Sequence, residues 1–190
     1  MLINKPTSQT SLQKGVTLLE MMIALAILAI VLTVVAPNIR EFLIKNRITG
    51  ELNEISGIVQ YARHVAIDQQ SPVILCPSSD YEECGVDWDD PKIVFIDENG
   101  DGDRNNDEDL LVSSSPTSDT TYMDGPNDQV EFQETGASNL NFNIILCPSS
   151  KDVKYARAIN ISLQGRVRVS KDSDSDGVHE DASGDALTCP

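Results

Sequence analysis

Two stretches place oxygen-bearing side chains at the spacing used to hold a hard cation. Asp97-Glu98-Asn99-Gly100-Asp101-Gly102-Asp103 runs on to Glu108 and fits the calcium-loop pattern D-x-[DN]-x-[DN]-G-x5-E. Alternate positions could turn their oxygens toward one ion, with Gly102 permitting the sharp bend and Glu108 closing with both oxygens. The flanks form strands rather than the helices of an EF-hand, so a solvated acidic turn is the competing reading. A second run, Asp172-x-Asp174-x-Asp176-Gly177, is followed by Glu180 and Asp181 but has no acid at the closing position. Calcium is the one cofactor these residues suggest.

A different chemistry is offered by Gly165-Arg166-Val167-Arg168, a basic spot in an acidic tail. Period-two spacing puts both guanidinium groups on one face of a strand, where they could grip phosphates. Alternatively they pair with nearby Asp172 or Asp174. Composition favours the second reading. The 190 residues include 30 acids against 14 Lys and Arg, a formal charge of −16. A nucleic-acid binder needs a basic face to release phosphate counterions. Neither His64 nor His179 has a nucleophile at a suggestive spacing. With no triad, phosphate loop or paired-acid pocket in the sequence, no enzyme is expected.

Four cysteines, Cys76, Cys84, Cys147 and Cys189, lie outside the apolar N-terminal run, with no CxxC pair and no adjacent His. An even count of this kind fits two disulfides in an oxidising compartment. Three connectivities are open. The preferred one joins Cys76 to Cys84 around a short loop and Cys147 to Cys189 at the tail, each bridge contributing roughly 2–4 kcal/mol.

These groups have to be positioned by a chain with an uneven hydrophobic distribution. Residues 1–15 form a polar leader, and Val16 to Ala36 is an apolar run long enough to span a ~30 Å hydrocarbon core as a helix. A secretory signal puts its small cleavage residue after the apolar region, whereas here Gly15 comes before it. Cleavage after Gly15 would leave the helix on the mature protein. Glu20 interrupts the apolar run. An acid in a membrane segment costs on the order of 2.5–3.5 kcal/mol near the bilayer centre and marks a functional position. A new amine at Val16 would be a cation close enough to offset that cost. Pro37 removes a helical hydrogen bond and provides a place to kink or melt. Beyond it, Ile48, Leu52, Ile55, Val59, Ala62 and Val65/Ala66 recur at spacings of three and four. That stripe predicts an amphipathic continuation over residues 37–70, packed on a globular domain at 71–190. In that domain the pattern predicts strands at 73–76, 92–97, 110–113, 129–133, 140–147, 157–163 and 166–170, with Gln164-Gly165 as a tight hairpin turn. The fold class is α+β, with an antiparallel sheet wrapped on a long N-terminal helix.

Lys14-Gly15-Val16-Thr17-Leu18-Leu19-Glu20 closely resembles the processing signal of type IV pilins and type II secretion pseudopilins. The resemblance implies a pilin-like fold. It also implies cleavage after Gly15 by a prepilin peptidase, N-methylation of Val16, and a role for Glu20 in guiding assembly. Val16 replaces the Phe usual at that position, and Pro37 matches a family proline where the helix can unwind. Leu75-Cys76-Pro77-Ser78, the Trp88 loop, Ile93 to Asp97 and Gly165 to Arg168 resemble the GspH/FimT group. The closing Leu187-Thr188-Cys189-Pro190 is similar to that of FimU-like minor pilins. The implied role is a minor pilin priming or capping a filament. An H-type pseudopilin is the alternative, and a DNA-uptake pilin using Arg166 and Arg168 is the second. Implied partners are other pilin subunits, the prepilin peptidase/N-methyltransferase and the inner membrane. The chain would cross that membrane once, with a periplasmic globular domain, before entering the filament.

Overall fold

The computed structural model describes residues 15–105 and 107–190, excluding the side chains of residues 34–37. The expected leader therefore lies, apart from Gly15, outside the described residues, and so does the side chain of Pro37. Helix α1 covers Leu18–Gln69. The chain divides into two compact units, residues 1–42 and 43–190.

In the first unit, Thr17 caps α1. Its hydroxyl accepts from the backbone N–H of Glu20 at 3.2 Å, and its carbonyl accepts from Met21 N–H at 3.1 Å. Thr33 turns its hydroxyl back on the Ala29 and Ile30 carbonyls, so a polar side chain is satisfied within its own helix. Apolar side chains from Leu18 to Leu32 are exposed all round. With a mean hydropathy of 2.8 over eighteen residues, this segment is long and apolar enough to cross a membrane.

In the second unit, α1 buries one face. Ile48, Leu52, Ile55, Val59, Ala62, Val65 and Ala66 are all buried, as the spacing predicts, and Ile58 joins them. The strands are β1 Val73–Pro77, β2 Lys92–Ile96, β3 Leu110–Ser113, β4 Thr121–Asp124, β5 Val130–Phe132, β6 Phe142–Pro148, β7 Arg157–Ile161 and β8 Val167–Val169. Every pairing is antiparallel. They form two four-stranded sheets, ordered β3-β2-β1-β5 and β4-β6-β7-β8, where the sequence suggests one. Strand β4 was not anticipated. Only Thr121 and Met123 point inward from it, too few to register as an alternation. Leu75, Val94, Val130 and Phe132 from one sheet and Ile144, Leu146, Ile159 and Ile161 from the other share a core with the helix stripe.

Each sheet has a smaller apolar cluster besides that shared core. Ile74, Cys76, Ile93 and Phe95 form one beside Cys84, and Cys147, Ala156, Ala158 and Leu187 form the other beside Cys189. The structure joins Cys76 to Cys84 and Cys147 to Cys189, with Cα atoms 5.5 and 5.9 Å apart. Leu-Cys-Pro-Ser-Ser occurs twice, and both copies end an inner strand, β1 or β6. The proline sits at the strand terminus, where the ladder can lose a donor.

Lys92 is a buried cation at 2% exposure, its Nζ donating to Thr117 Oγ1 at 3.1 Å. Burial pushes its ammonium below the ordinary lysine range, against the opposing pull of Asp89, Glu51, Glu54 and Asp90. Burial likewise pushes the Glu51 carboxyl up, against the Ser118 N–H, the Arg47 and Lys92 charges and the Thr121 hydroxyl. Glu51 Oε2 is buried without a hydrogen-bond partner. Glu51 of α1 and Lys92 of β2 thus lie within each other's field, at a desolvation cost to each.

Leu52→Ala is expected to lose about 2–5 kcal/mol in urea denaturation. Tyr61→Ala, on the exposed helix face, should stay within about 0.5 kcal/mol of wild type. Lys92→Met should destabilise by about 1–3 kcal/mol at neutral pH, because the buried Thr117 contact loses its donor and Glu51 keeps only Arg47 as a compensating charge. Its pH signature has a definite sign. Above the lowered folded-state value and below 10.5, the unfolded chain holds the lysine proton and the folded chain does not. Wild-type stability, measured relative to Lys92→Met, must therefore rise with pH through that window. A falling difference would show that burial does not control Lys92.

Candidate functional site

The residues implicated in processing and assembly lie together at the start of α1. Gly15 and Val16 are exposed ahead of the helix, and Glu20 lies in its first turn. The cap explains why an acid is tolerated there. Thr17-x-x-Glu20 is the capping-box pattern, and a carboxylate in the first turn faces the positive end of the helix dipole. The helix terminus is thus a source of positive potential for Glu20 that does not depend on processing. Thr17 is not among the residues expected to act here, although its three-residue spacing to Glu20 is a pattern the sequence carries.

In the first acidic loop, backbone amides occupy the carboxylates at both ends. Asp97 accepts from Gly100 N–H at 2.7 Å and Gly102 N–H at 3.0 Å. Glu108 accepts from Glu98 N–H at 3.0 Å and Asn105 N–H at 2.9 Å. Both side chains are buried. Asn99 and Asp101 bond each other, and Asp103 donates its N–H to Asp101. That N–H, together with the Asn105 amide, holds the Asp101 carboxyl below its ordinary range. The five residues of the calcium pattern therefore organise one loop.

The second acidic loop brings its carboxylates closer. Asp172, Asp174, Asp176 and Glu180 present oxygens all within 4.8 Å of one another. Asp172 accepts from Gly177 N–H, and Glu180, nearly buried, accepts from Ser173 N–H at 2.7 Å. The sequence pattern looked for a closing acid at Ser183. Glu180 enters instead, brought in by the Lys171–Glu180 bridge three positions before the template's closing site. His179, beside this loop, has Nδ1 2.9 Å from the Ser170 carbonyl. Burial, followed by the Arg157 charge, pushes its imidazole below the ordinary range.

The two arginines line different clefts. Arg166 precedes β8, in the turn where Ser162 N–H donates to Arg166 O, so strand alternation does not govern it. It lines a groove with Arg63 and His64 of α1. Arg168 lines another cleft with Asn143, Asn160, Lys171 and Glu180. Among the described residues neither arginine pairs with Asp172 or Asp174, and Asp172 lies instead in the field of Arg157. No sequence pattern marked Arg63 as part of this groove.

A family model for the prokaryotic N-terminal methylation motif matches residues 10–36, and one described as type II transport protein GspH matches residues 51–165. The solved structure of the type IV minor pilin FimU from Pseudomonas aeruginosa is similar. The TM-score is 0.54 at 17% identity, over 68% of this chain and 92% of that one. The minor pseudopilin EpsH from the type 2 secretion system of Vibrio cholerae aligns with a TM-score of 0.49 at 10% identity, over 65% of this chain and 95% of that one. No curated protein sequence matches. The methylation motif at the head of α1, followed by a helix-and-two-sheet unit matched over 115 residues, makes this chain a member of the GspH family of type IV pilins and pseudopilins.

Proposed function

We propose that the chain is a minor type IV pilin, a structural subunit that primes or caps filament assembly. The observation that carries this reading is the head of α1. An unpartnered apolar helix, capped by Thr17 and bearing Glu20 in its first turn, directly follows Gly15 and Val16. In this reading the helix first sits in the inner membrane with the globular unit periplasmic. A prepilin peptidase cuts after Gly15 and Val16 is methylated. The helix then leaves lipid for the filament, where neighbouring helices replace acyl chains as packing partners. Glu20 enters with its charge already compensated, by the helix terminus and by the amine of Val16 in its own or a neighbouring subunit.

The alternative, an H-type pseudopilin of type II secretion, draws support from the description of the matching family. A deletion strain separates the two. Loss of surface pili with secretion intact supports the pilin reading, and loss of secretion with pili intact supports the pseudopilin. A DNA-uptake role for Arg166 and Arg168 would need both residues to act from different clefts on a chain of charge −16. Calcium is a proposal for both acidic loops, and calorimetry showing no heat at millimolar calcium would withdraw it.

Mass spectrometry of the chain produced with its peptidase should find the mature N-terminus at Val16 carrying one methyl group. Gly15→Leu should leave the leader attached. Glu20→Gln should be processed normally yet fail to enter filaments. Normal incorporation of that variant would refute the assembly role given to Glu20.

A further inference from the structure

The second unit carries a cationic groove on an otherwise acidic molecule. The groove encloses about 550 Å³ between α1 and the β7–β8 hairpin, and every titratable side chain lining it is basic: Arg63, His64 and Arg166. Its apolar surface comes from Ile67, Val167 and Val169, and Ile67 and Val169 are exposed at 37% and 48%. The chain as a whole bears −16, so a groove whose charged lining is Arg63 and Arg166, with no acid, stands against the general field.

Arg63 is held in place by the backbone. Its Nε donates to the Gly136 carbonyl at 2.9 Å, in a partly buried position. Two glycines make this approach possible. Gly136 and Gly165 have φ of 75° and 69°, and a Cβ at Gly165 would lie 2.7 Å from Arg63 Nε and 2.8 Å from its Cδ. The guanidinium is thereby anchored through one nitrogen, while Nη1 and Nη2 have no protein partner among the described residues. A fixed guanidinium fork matches a carboxylate and loses little freedom on binding one. The groove also runs beside β8, which is the edge strand of its sheet.

We propose that this groove docks an acidic loop or strand of an adjoining filament subunit. Carboxylates would sit on Arg63 and Arg166, and an apolar side chain would rest against Ile67, Val167 and Val169. A DNA duplex fits less well, because the groove offers three basic side chains where tight duplex binding neutralises about 6–10 phosphates. Only the partner's identity rests on the filament-subunit reading. The groove's chemistry does not, and failure of the Glu20 experiment would leave the following titration unaffected.

The probe is a fluorescent peptide of residues 97–111 of this chain, which carries seven acids, one arginine and a terminal Leu-Leu. It is titrated into the full chain in micelles of a neutral detergent. Binding is expected, and it should weaken about tenfold when ionic strength rises from ~0.05 to ~0.3 M. Arg166→Gln and Arg63→Gln should each weaken it about tenfold. Arg168→Gln, whose residue lines the other cleft, should leave it unchanged. Arg166 is exposed, so its variant tests the groove even where Arg63→Gln perturbs the fold. No binding, equal losses for Arg166→Gln and Arg168→Gln, or displacement of the peptide by a ~20 base-pair DNA duplex would each overturn the proposal.

Discussion

One face of a helix has to serve as the floor for two sheets. Between Ile48 and Ala66 the stripe meets inward side chains from both, so neither sheet has a core of its own large enough to stand without it. This constraint accounts for the sequence of that segment. Ala62 and Ala66 are fully buried, and small side chains there allow a close approach, while Ile55, Ile58 and Val59 fill the space between. Polar residues bordering the stripe are drawn in as well. Glu51 lies in the field of Lys92, and Arg63 donates to the Gly136 carbonyl, which puts charge at the edges of an apolar contact.

The cost of that arrangement falls on the rest of each sheet. Inner strands β1 and β6 are buried along most of their length, and a few apolar residues around a cystine supplement the shared core of each sheet. Clusters of four residues bury too little area to organise long loops by themselves. Cross-linking supplies the difference by restricting the unfolded chain. The same device appears once per sheet, at the same place in the Leu-Cys-Pro-Ser-Ser segment, although the surrounding sequences differ.

Local patterns made much of this legible. The three-and-four spacing identified each predicted buried residue of the helix, and the β-rich runs located seven of the eight strands to within a few residues. What remained hidden depends on distance along the chain. The division into two sheets is set by pairings such as β1 with β5, across an intervening stretch of more than fifty residues. Strand β4 is defined by its partner β6 rather than by its own composition. At the candidate sites the same rule holds. Asp97 and Glu108 fit a linear template and do share a loop, whereas Arg63 of α1 joins Arg166 beside β8 only through tertiary packing. Arg166 and Arg168 show the limit of alternation, which holds only inside a paired strand, and Arg166 lies one residue outside it.

The Cys147–Cys189 bridge also changes how the molecule would bear a load. It closes a ring with a sequence separation of 42, taking in β7, β8 and the second acidic loop. The segment beyond Cys189 is fastened further by Tyr122 Oη and Lys151 Nζ, both donating to the Pro190 carbonyl. Tension entering along α1 and leaving near the C-terminus would pass through the bridge and bypass the ring. At roughly 3.4 Å per extended residue, about 140 Å of chain is unavailable for unravelling while the bridge is intact. Under tension the oxidised protein would behave as a shorter and less extensible link than its residue count implies.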